Sequence, residues 1–310
     1  MVLKNNKKGI FFISLVIVML SLLFITYAFS TAVRERAITK KRIETMNGFL
    51  FSTEEDLRRQ AYITGFRIVF ILEDYIIQTG SYTNNLNDNI NELAFNGTLN
   101  GEQQPILIQA TVPEIISTLN QRADKLNIEL QFSNTSFTIS QSDPWNVDAV
   151  LTSDIIMKDK NNIALWSKQE KIIAKIPVTN FEDPVYFIET GGLVTNKISK
   201  TPHPVFVQGS NVTNLLDHAV NSYYKTSTLA PSFLDRLQGI NSQSLNGIES
   251  LVNIPELSNR GIAVQDKVVI DYIYFSTSSP QECTVQGAPS WLKIDVESID
   301  EYNVTEIANC

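Results

Sequence analysis

The fold turns on one stretch: Lys7-Lys8-Gly9 followed without a break by Ile10-Phe11-Phe12-Ile13-Ser14-Leu15-Val16-Ile17-Val18-Met19-Leu20-Ser21-Leu22-Leu23-Phe24-Ile25-Thr26-Tyr27-Ala28-Phe29. The apolar run carries no charge, and only Ser14, Ser21, Thr26 and Tyr27 interrupt it. At about 1.5 Å per residue, roughly 20 residues cover the ~30 Å hydrocarbon core of a bilayer. Lipid offers the backbone no hydrogen-bond partners, so such a run is helical. A secretory signal has an apolar stretch of only about 7–15 residues before its small-residue cleavage site. Ser30 and Ala32 offer such a site, but the run is longer, so the segment reads as a retained membrane anchor.

Lys7-Lys8-Gly9 set directly before a long apolar helix resembles the leader junction of type IV pilins and pilin-like minor subunits, archaeal ones included. The resemblance covers about residues 1–30. It implies cleavage after Gly9 by a membrane peptidase, which leaves Ile10 as the mature N-terminus. It implies residues 10–29 in lipid before assembly, helix-to-helix packing afterwards, and the outer half of the helix laid on a sheet. The sequence departs from the common pattern at Ser14, the fifth residue after the cut, where many pilins carry a glutamate. The same residues also read as the basic flank of an ordinary anchor.

The rest of the 310-residue chain bounds the partners more than the activity. A net charge of −8, with no basic patch with interleaved aromatics outside the first 60 residues, argues against a nucleic-acid partner. The expected partners are membrane lipid and other pilin-like subunits or membrane assembly proteins. Cys283 and Cys310 are the only cysteines and read as one disulfide, with about 3 kcal/mol from loop closure in the chain-entropy model. Two histidines, His203 and His218, leave no zinc set, and no cofactor or metal is expected. The basic flanks are ambiguous: Lys4, Lys7 and Lys8 precede the run, whereas Arg34, Arg36, Lys40, Lys41 and Arg42 follow it. Long downstream domains translocate largely regardless of such charge. The cysteine pair and the leader therefore place residues 1–9 in the cytoplasm, 10–29 in the cell membrane as a single pass, and the remainder outside. Sequons at Asn96, Asn134, Asn211 and Asn303 are glycosylation candidates, although a chain so rich in Asn, Ser and Thr acquires sequons by composition alone.

Behind the anchor, residues 30–80 keep a helical pattern as a stalk, either one kinked helix or two meeting at Asn47-Gly48. The apolar segment Phe66–Ile77 is punctuated by Arg67, Glu73 and Asp74, so it reads as a helix buried against the domain, not as a second span. Glu73 and Asp74 call for an ion pair with Arg58, Arg59 or Arg67. Residues 81–310 form an α+β domain with a sub-boundary near 191–210. Gly80 ends the helix, and residues 81–104 read as a surface connection with one helical turn through Leu93. Pro105–Ala110 reads as a strand and Pro113–Leu126 as a helix with Ile115, Ile116, Leu119, Ala123 and Leu126 inward. Ile128–Ile139 alternates as a strand with a turn at Asn134-Thr135-Ser136. Val147–Met157 and Ile163–Ile176 form a hairpin. Val185–Thr190 reads as a short strand, Asn211–Tyr224 and the segment from Phe233 as helices, and Val264–Ser276 and Trp291–Val296 as terminal strands with the disulfide between their ends. The expected fold is therefore α+β: a long N-terminal helix, beginning as a transmembrane segment, packed on an antiparallel sheet with short helices.

No catalytic constellation emerges, and the chain is not expected to be an enzyme. Asp217-His218 is the one acid–histidine neighbour pair, but adjacent helical residues face different sides, so His218 reads as solvated or capping. Asp154 and Asp159 read as solvated acids at a hairpin end. The sequence thus points to a membrane-anchored structural subunit. The alternative is a tethered ligand-binding or adhesion domain acting through a partner protein.

Overall fold

The computed structural model describes residues 7–310, with side chains from residue 11 onward. The leader expected at residues 1–9 therefore lies mostly outside the described residues, and at Lys7–Ile10 only a helical backbone is described. A single helix, α1 (Lys7–Thr79), runs unbroken for 73 residues. Of the two stalk alternatives the single helix holds. Gly48 costs such a helix only about 1 kcal/mol, and the side chains around it are anchored: Met46 is fully buried, with Phe49 and Leu50 partly buried against the same core. Gly80, at φ +64°, ends the helix, and its N–H donates to the Ile76 carbonyl at 2.8 Å.

The helix has two halves with different surroundings. Its apolar N-terminal part packs on no other described element: Phe11, Phe24, Tyr27 and Phe29 are each about 70% exposed. From Met46 onward it buries Thr53, Leu57, Ala61, Thr64, Ile68, Leu72 and Ile76, a three-to-four-residue period that directs one stripe into the domain. Beneath that stripe lies a three-stranded antiparallel sheet of order β3-β4-β5, formed by β3 (Ile128–Asp143), β4 (Asn146–Asp159) and β5 (Leu165–Pro177). The closest approach is at Gly65, where an added Cβ would lie 2.5 Å from the Ala149 Cβ and 2.7 Å from Ile176 Cδ1. Only a glycine lets the helix sit that low.

Local chemistry shapes the sheet. Asp143 turns β3 into β4 by accepting from the Trp145 N–H at 2.9 Å and from Asn146 Nδ2 at 2.8 Å. Inward positions on β3 change parity, from Ile128 and Leu130 to Phe137 and Ile139. The Asn134-Thr135-Ser136 turn expected there is instead a bulge within one continuous strand, with the register slipping between Ser133 and Ser136. One extra residue, with Asn134 at φ +50°, returns the apolar side chains to the core face.

Before the sheet come α2 (Leu86–Asn96), the short hairpin β1 (Thr98–Leu99) and β2 (Glu102–Gln103), and α3 (Val112–Lys125). The surface connection expected over 81–104 thus contains an 11-residue helix: Leu86, Ile90, Leu93 and Ala94 are buried at helical spacing despite the dense asparagines. Pro105–Leu107 is a 3₁₀ turn where a strand was expected, since two residues of the run, Ile106 and Ile108, point to solvent. α3 opens with a capping box between Thr111 and Glu114. It buries Ile115, Leu119 and Ala123, whereas Ile116 is half-buried and Leu126 exposed.

The C-terminal part is built of short pieces: α4 (Pro184–Glu189), α5 (Thr213–Val220), β6 (Tyr224–Thr226), α6 (Phe233–Leu237), β7 (Ile248–Ser250), α7 (Ile254–Asn259), α8 (Asp271–Tyr274), β8 (Glu282–Val285), β9 (Lys293–Asp295) and β10 (Ala308–Asn309). The strand expected over Val185–Thr190 is α4, because Asp183 caps it by accepting from the Val185 N–H and Pro184 fits the first turn. The helix expected over Asn211–Tyr224 is shorter, and Tyr224 opens β6. Val264–Ser276 is not a strand: Val269 makes backbone hydrogen bonds to Val252 and Lys293, and the chain then turns into α8. Trp291–Val296 contributes β9. β8 lies between β10 and β9, so the Cys283–Cys310 disulfide ties β8 to the residue after β10. Two apolar clusters result. One contains α1, α2, α3 and the large sheet. The other, from Tyr186 to Val304, is centred on residues such as Leu215, Leu257 and Ile294.

The Gly65 contact yields a direct test. Gly65→Ala should lower stability by about 1–3 kcal/mol, the usual cost of overpacking, although alanine is the better helix former. In urea unfolding, Ala149→Gly in the same chain should recover part of that loss.

Candidate functional site

The free half of α1 is a candidate membrane segment by length and composition. Its most apolar window has a mean hydropathy of 2.5 and is not buried against the rest of the protein. Two of its hydroxyls are satisfied within the helix: Ser21 Oγ donates to the Ile17 carbonyl at 2.7 Å and Thr26 Oγ1 to the Leu22 carbonyl at 2.9 Å. That arrangement suits a medium without water. The side chains at the expected processing junction, Gly9 and Ile10, lie outside the described residues.

A groove runs along the other half of α1. Tyr62, Phe66, Phe70 and Ile77, each about 40% exposed, form a stripe on one face, opposite Pro177, Thr179 and Phe181. The space between is about 560 Å³. Aromatic rings lead from it into the core, with centroids 5.5 Å apart for Phe66–Phe181 and 5.9 Å for Phe181–Phe233. Glu73 lines the groove and is 7% exposed, accepting the Glu182 backbone N–H. The expected arginine partner is absent: Arg59 pairs with Asp56, Arg67 points to the Ile108 carbonyl, and Glu73 has no ion pair among the described residues. Burial pushes its carboxyl up to about 7, opposed by the Glu182 N–H and by Lys197. Asp74 accepts from Gln78 at 2.6 Å.

Between the two clusters lies a fully buried guanidinium. Arg236 Nη1 donates to Asp183 and, at 3.0 Å, to Asp271 Oδ2, while Nη2 donates to the Ile248 carbonyl. The Tyr224 hydroxyl donates to Asp183 at 2.7 Å, and Ser250 donates to Asp271 from both N–H and Oγ. Burial holds the Asp271 carboxyl above its ordinary value, with Arg236 pulling it back. Sequence reasoning missed this group, because its hydrogen-bonded partners lie 12 to 53 residues apart. Asp159, expected to be solvated, is also buried. Burial alone would raise its carboxyl, but Arg42 and the N–H groups of Asn161 and Ile163 hold it below its ordinary value. Asp154 is half-buried and accepts from Asn134 Nδ2 at 2.7 Å.

The histidines part company with expectation. Asp217 contacts His203 Nε2 at 2.6 Å, 14 residues away, and not its neighbour His218. Among the described residues no hydroxyl or thiol hydrogen bonds to the His203 ring. His218, expected to be solvated or capping, is fully buried beside Phe206 and Tyr302, and neither ring nitrogen has a hydrogen-bond partner among the described residues. Burial, helped by Lys225 and His203, lowers it to about 3, while Asp217 acts the other way. No cluster of three metal-ligating side chains occurs among the described residues. Asn96, Asn134, Asn211 and Asn303 are all exposed. No family model, curated protein or solved structure matches this chain.

Two outcomes follow. Arg236→Met leaves two buried carboxylates without their cation and should cost about 3–5 kcal/mol in urea unfolding at neutral pH. His218 is neutral in the fold down to about 3, whereas the unfolded side chain takes a proton near 6.5. Its contribution to stability is therefore present above 6.5 and falls as pH drops, by about 1.4 kcal/mol per unit. Unfolding free energies of wild type and His218→Phe, measured from pH 7 to 4, should diverge with that slope. Parallel profiles would show that the buried ring is protonated in the fold.

Proposed function

We propose that this protein is a membrane-anchored, extracytoplasmic structural subunit of the pilin-like kind, held with its N-terminus in the cytoplasm and its domain outside. One observation carries the reading. A single unbroken helix leaves its apolar N-terminal half free and lays its other half on a three-stranded antiparallel sheet. Such a helix suits two environments in turn, lipid as a monomer and the helices of like subunits in an assembly. The Cys283–Cys310 disulfide favours an oxidising compartment for the domain. The Lys7-Lys8-Gly9 junction supports cleavage before Ile10. Ser14 in place of an acid removes one contact to a neighbouring N-terminal amine, which favours a minor subunit or a variant assembly.

A second reading is a tethered ligand-binding or adhesion domain acting through a partner protein. The open aromatic groove with Glu73 in its wall favours it.

N-terminal sequencing of protein recovered from membranes separates processed subunit from plain anchor. A start at Ile10 is expected, and Gly9→Leu should stop processing while leaving membrane insertion intact. If the variant matured like wild type, Lys7-Lys8-Gly9 would be only the basic flank of an anchor. Leu20→Asp should prevent insertion, since a charge at mid-bilayer costs at least about 2.5 kcal/mol.

A further inference from the structure

The groove along α1 and the bare stalk of the same helix are complementary. Tyr62, Phe66, Phe70, Glu73 and Ile77 follow one another at intervals of four, four, three and four residues, so they form one straight ridge. Around that ridge stand two carboxylates, Asp74 and Glu182, and the buried Glu73, whose proton affinity burial raises, against one ammonium, Lys197. None of these four has an ion-pair partner within 4.0 Å among the described residues. The stalk presents the opposite character. Arg34, Ile38 and Lys41 also share one helical face, and Val33 and Ile38 are more than half exposed. Arg42 is taken by Asp159 and Lys40 by Glu44, but Arg34, Arg36 and Lys41 have no carboxylate partner among the described residues.

We propose that the aromatic, acidic groove of one copy receives the basic, apolar stalk, residues 33–43, of a second copy of this chain. Lipid is a poor occupant for the groove. Tyr62 lies about 50 Å along the helix from Phe29, far beyond a headgroup layer a few ångströms deep. The stalk and the groove centre are separated by roughly 30 residues, or about 45 Å along α1. Copies whose anchors share one bilayer hold their stalks at one height and cannot make this contact. It forms when one copy is displaced axially by that distance. Because unlike patches meet, the contact does not close on itself, and repetition gives an open chain of subunits. The displacement rests on the assembly-subunit reading; the complementarity of the surfaces does not.

The test uses full-length protein in detergent micelles, where copies are free to stagger. A photo-cross-linking p-benzoylphenylalanine replaces Phe70, and the partner copy is labelled with ¹⁵N. Mass spectrometry should place the cross-link on the labelled peptide carrying residues 33–43. Asp74→Lys, on an exposed side chain, should lower the yield about tenfold, and Arg34→Glu with Lys41→Glu in the partner should restore it. Links confined to one copy, to detergent or to another segment would overturn the contact, as would a yield indifferent to charge. So would an equal yield in flat vesicles of phosphatidylcholine and phosphatidylglycerol with all anchors in one bilayer. Capture of a different protein at the groove in cells, without the self-link in micelles, would favour the ligand-binding reading instead. The two readings fail separately. Filaments of cleaved subunits without the link sink the contact alone, whereas the link in a chain that is never processed leaves the contact and sinks the pilin-like reading.

Discussion

Arg236 is the group on which the arrangement of the two apolar clusters depends. Its helix, α6, contributes Phe233 and Leu237 to the first cluster, while its guanidinium reaches Asp271 on α8, which belongs to the second. Asp183 adds a third connection, since the same side chain caps α4. One cation faces two carboxylates, and the excess negative charge is offset by hydrogen bonds donated by Tyr224, Ser250 and the N–H groups of Val185 and Tyr272, while the Ile248 carbonyl accepts from the guanidinium. Such a group contributes less to net stability than an apolar core of equal volume would, because desolvating the ions is costly. Its effect is geometric. Five short elements, none able to stand alone, are held at fixed distances by one planar fork of donors.

The helix and sheet obey a simpler constraint. Apolar residues at helical spacing face apolar residues at strand spacing, and the depth of contact is set by Gly65 over Ala149. Beside that seam α1 carries a second apolar stripe, at the same spacing, which Pro177, Thr179 and Phe181 flank and leave about 40% exposed. The helix is thus fully covered along one stripe and only partly covered along the other. The buried acid of that stripe, Glu73, is accommodated by a backbone N–H and a raised proton affinity where a salt bridge was expected.

The long apolar helix, the α+β class, the β4–β5 hairpin and the disulfide were legible in the sequence because each has a local signature: an uncharged run, alternation around a polar turn, an isolated cysteine pair. The bulge at Asn134 was half legible, since its residues have turn character but only pairing shows that the strand continues. α4 carried an Asp-Pro start that outweighs the apolar tetrad Val185–Ile188. Pro105–Ala110 and Val264–Ser276 failed for another reason. Short apolar runs look alike whether they form strands, turns or buried coil, and tertiary contacts decide. The Arg236 group and the His203–Asp217 pair had no sequence signal at all, being made by distant segments. The groove was present only as an apolar excess in Phe66–Ile77, and that excess reads equally well as core.

The seam between α1 and the sheet also decides how the protein would carry load. Tension applied through the apolar segment enters the domain near Arg42 and acts along the helix axis, not across it. The seam is then loaded in shear, with every contact from Met46 to Ile76 strained together, instead of being peeled open one contact at a time. Gly65 acts as a detent. Sliding the helix by one turn would bring the side chain of Ala61 or Val69 over Ala149, where there is room for a hydrogen atom and nothing larger.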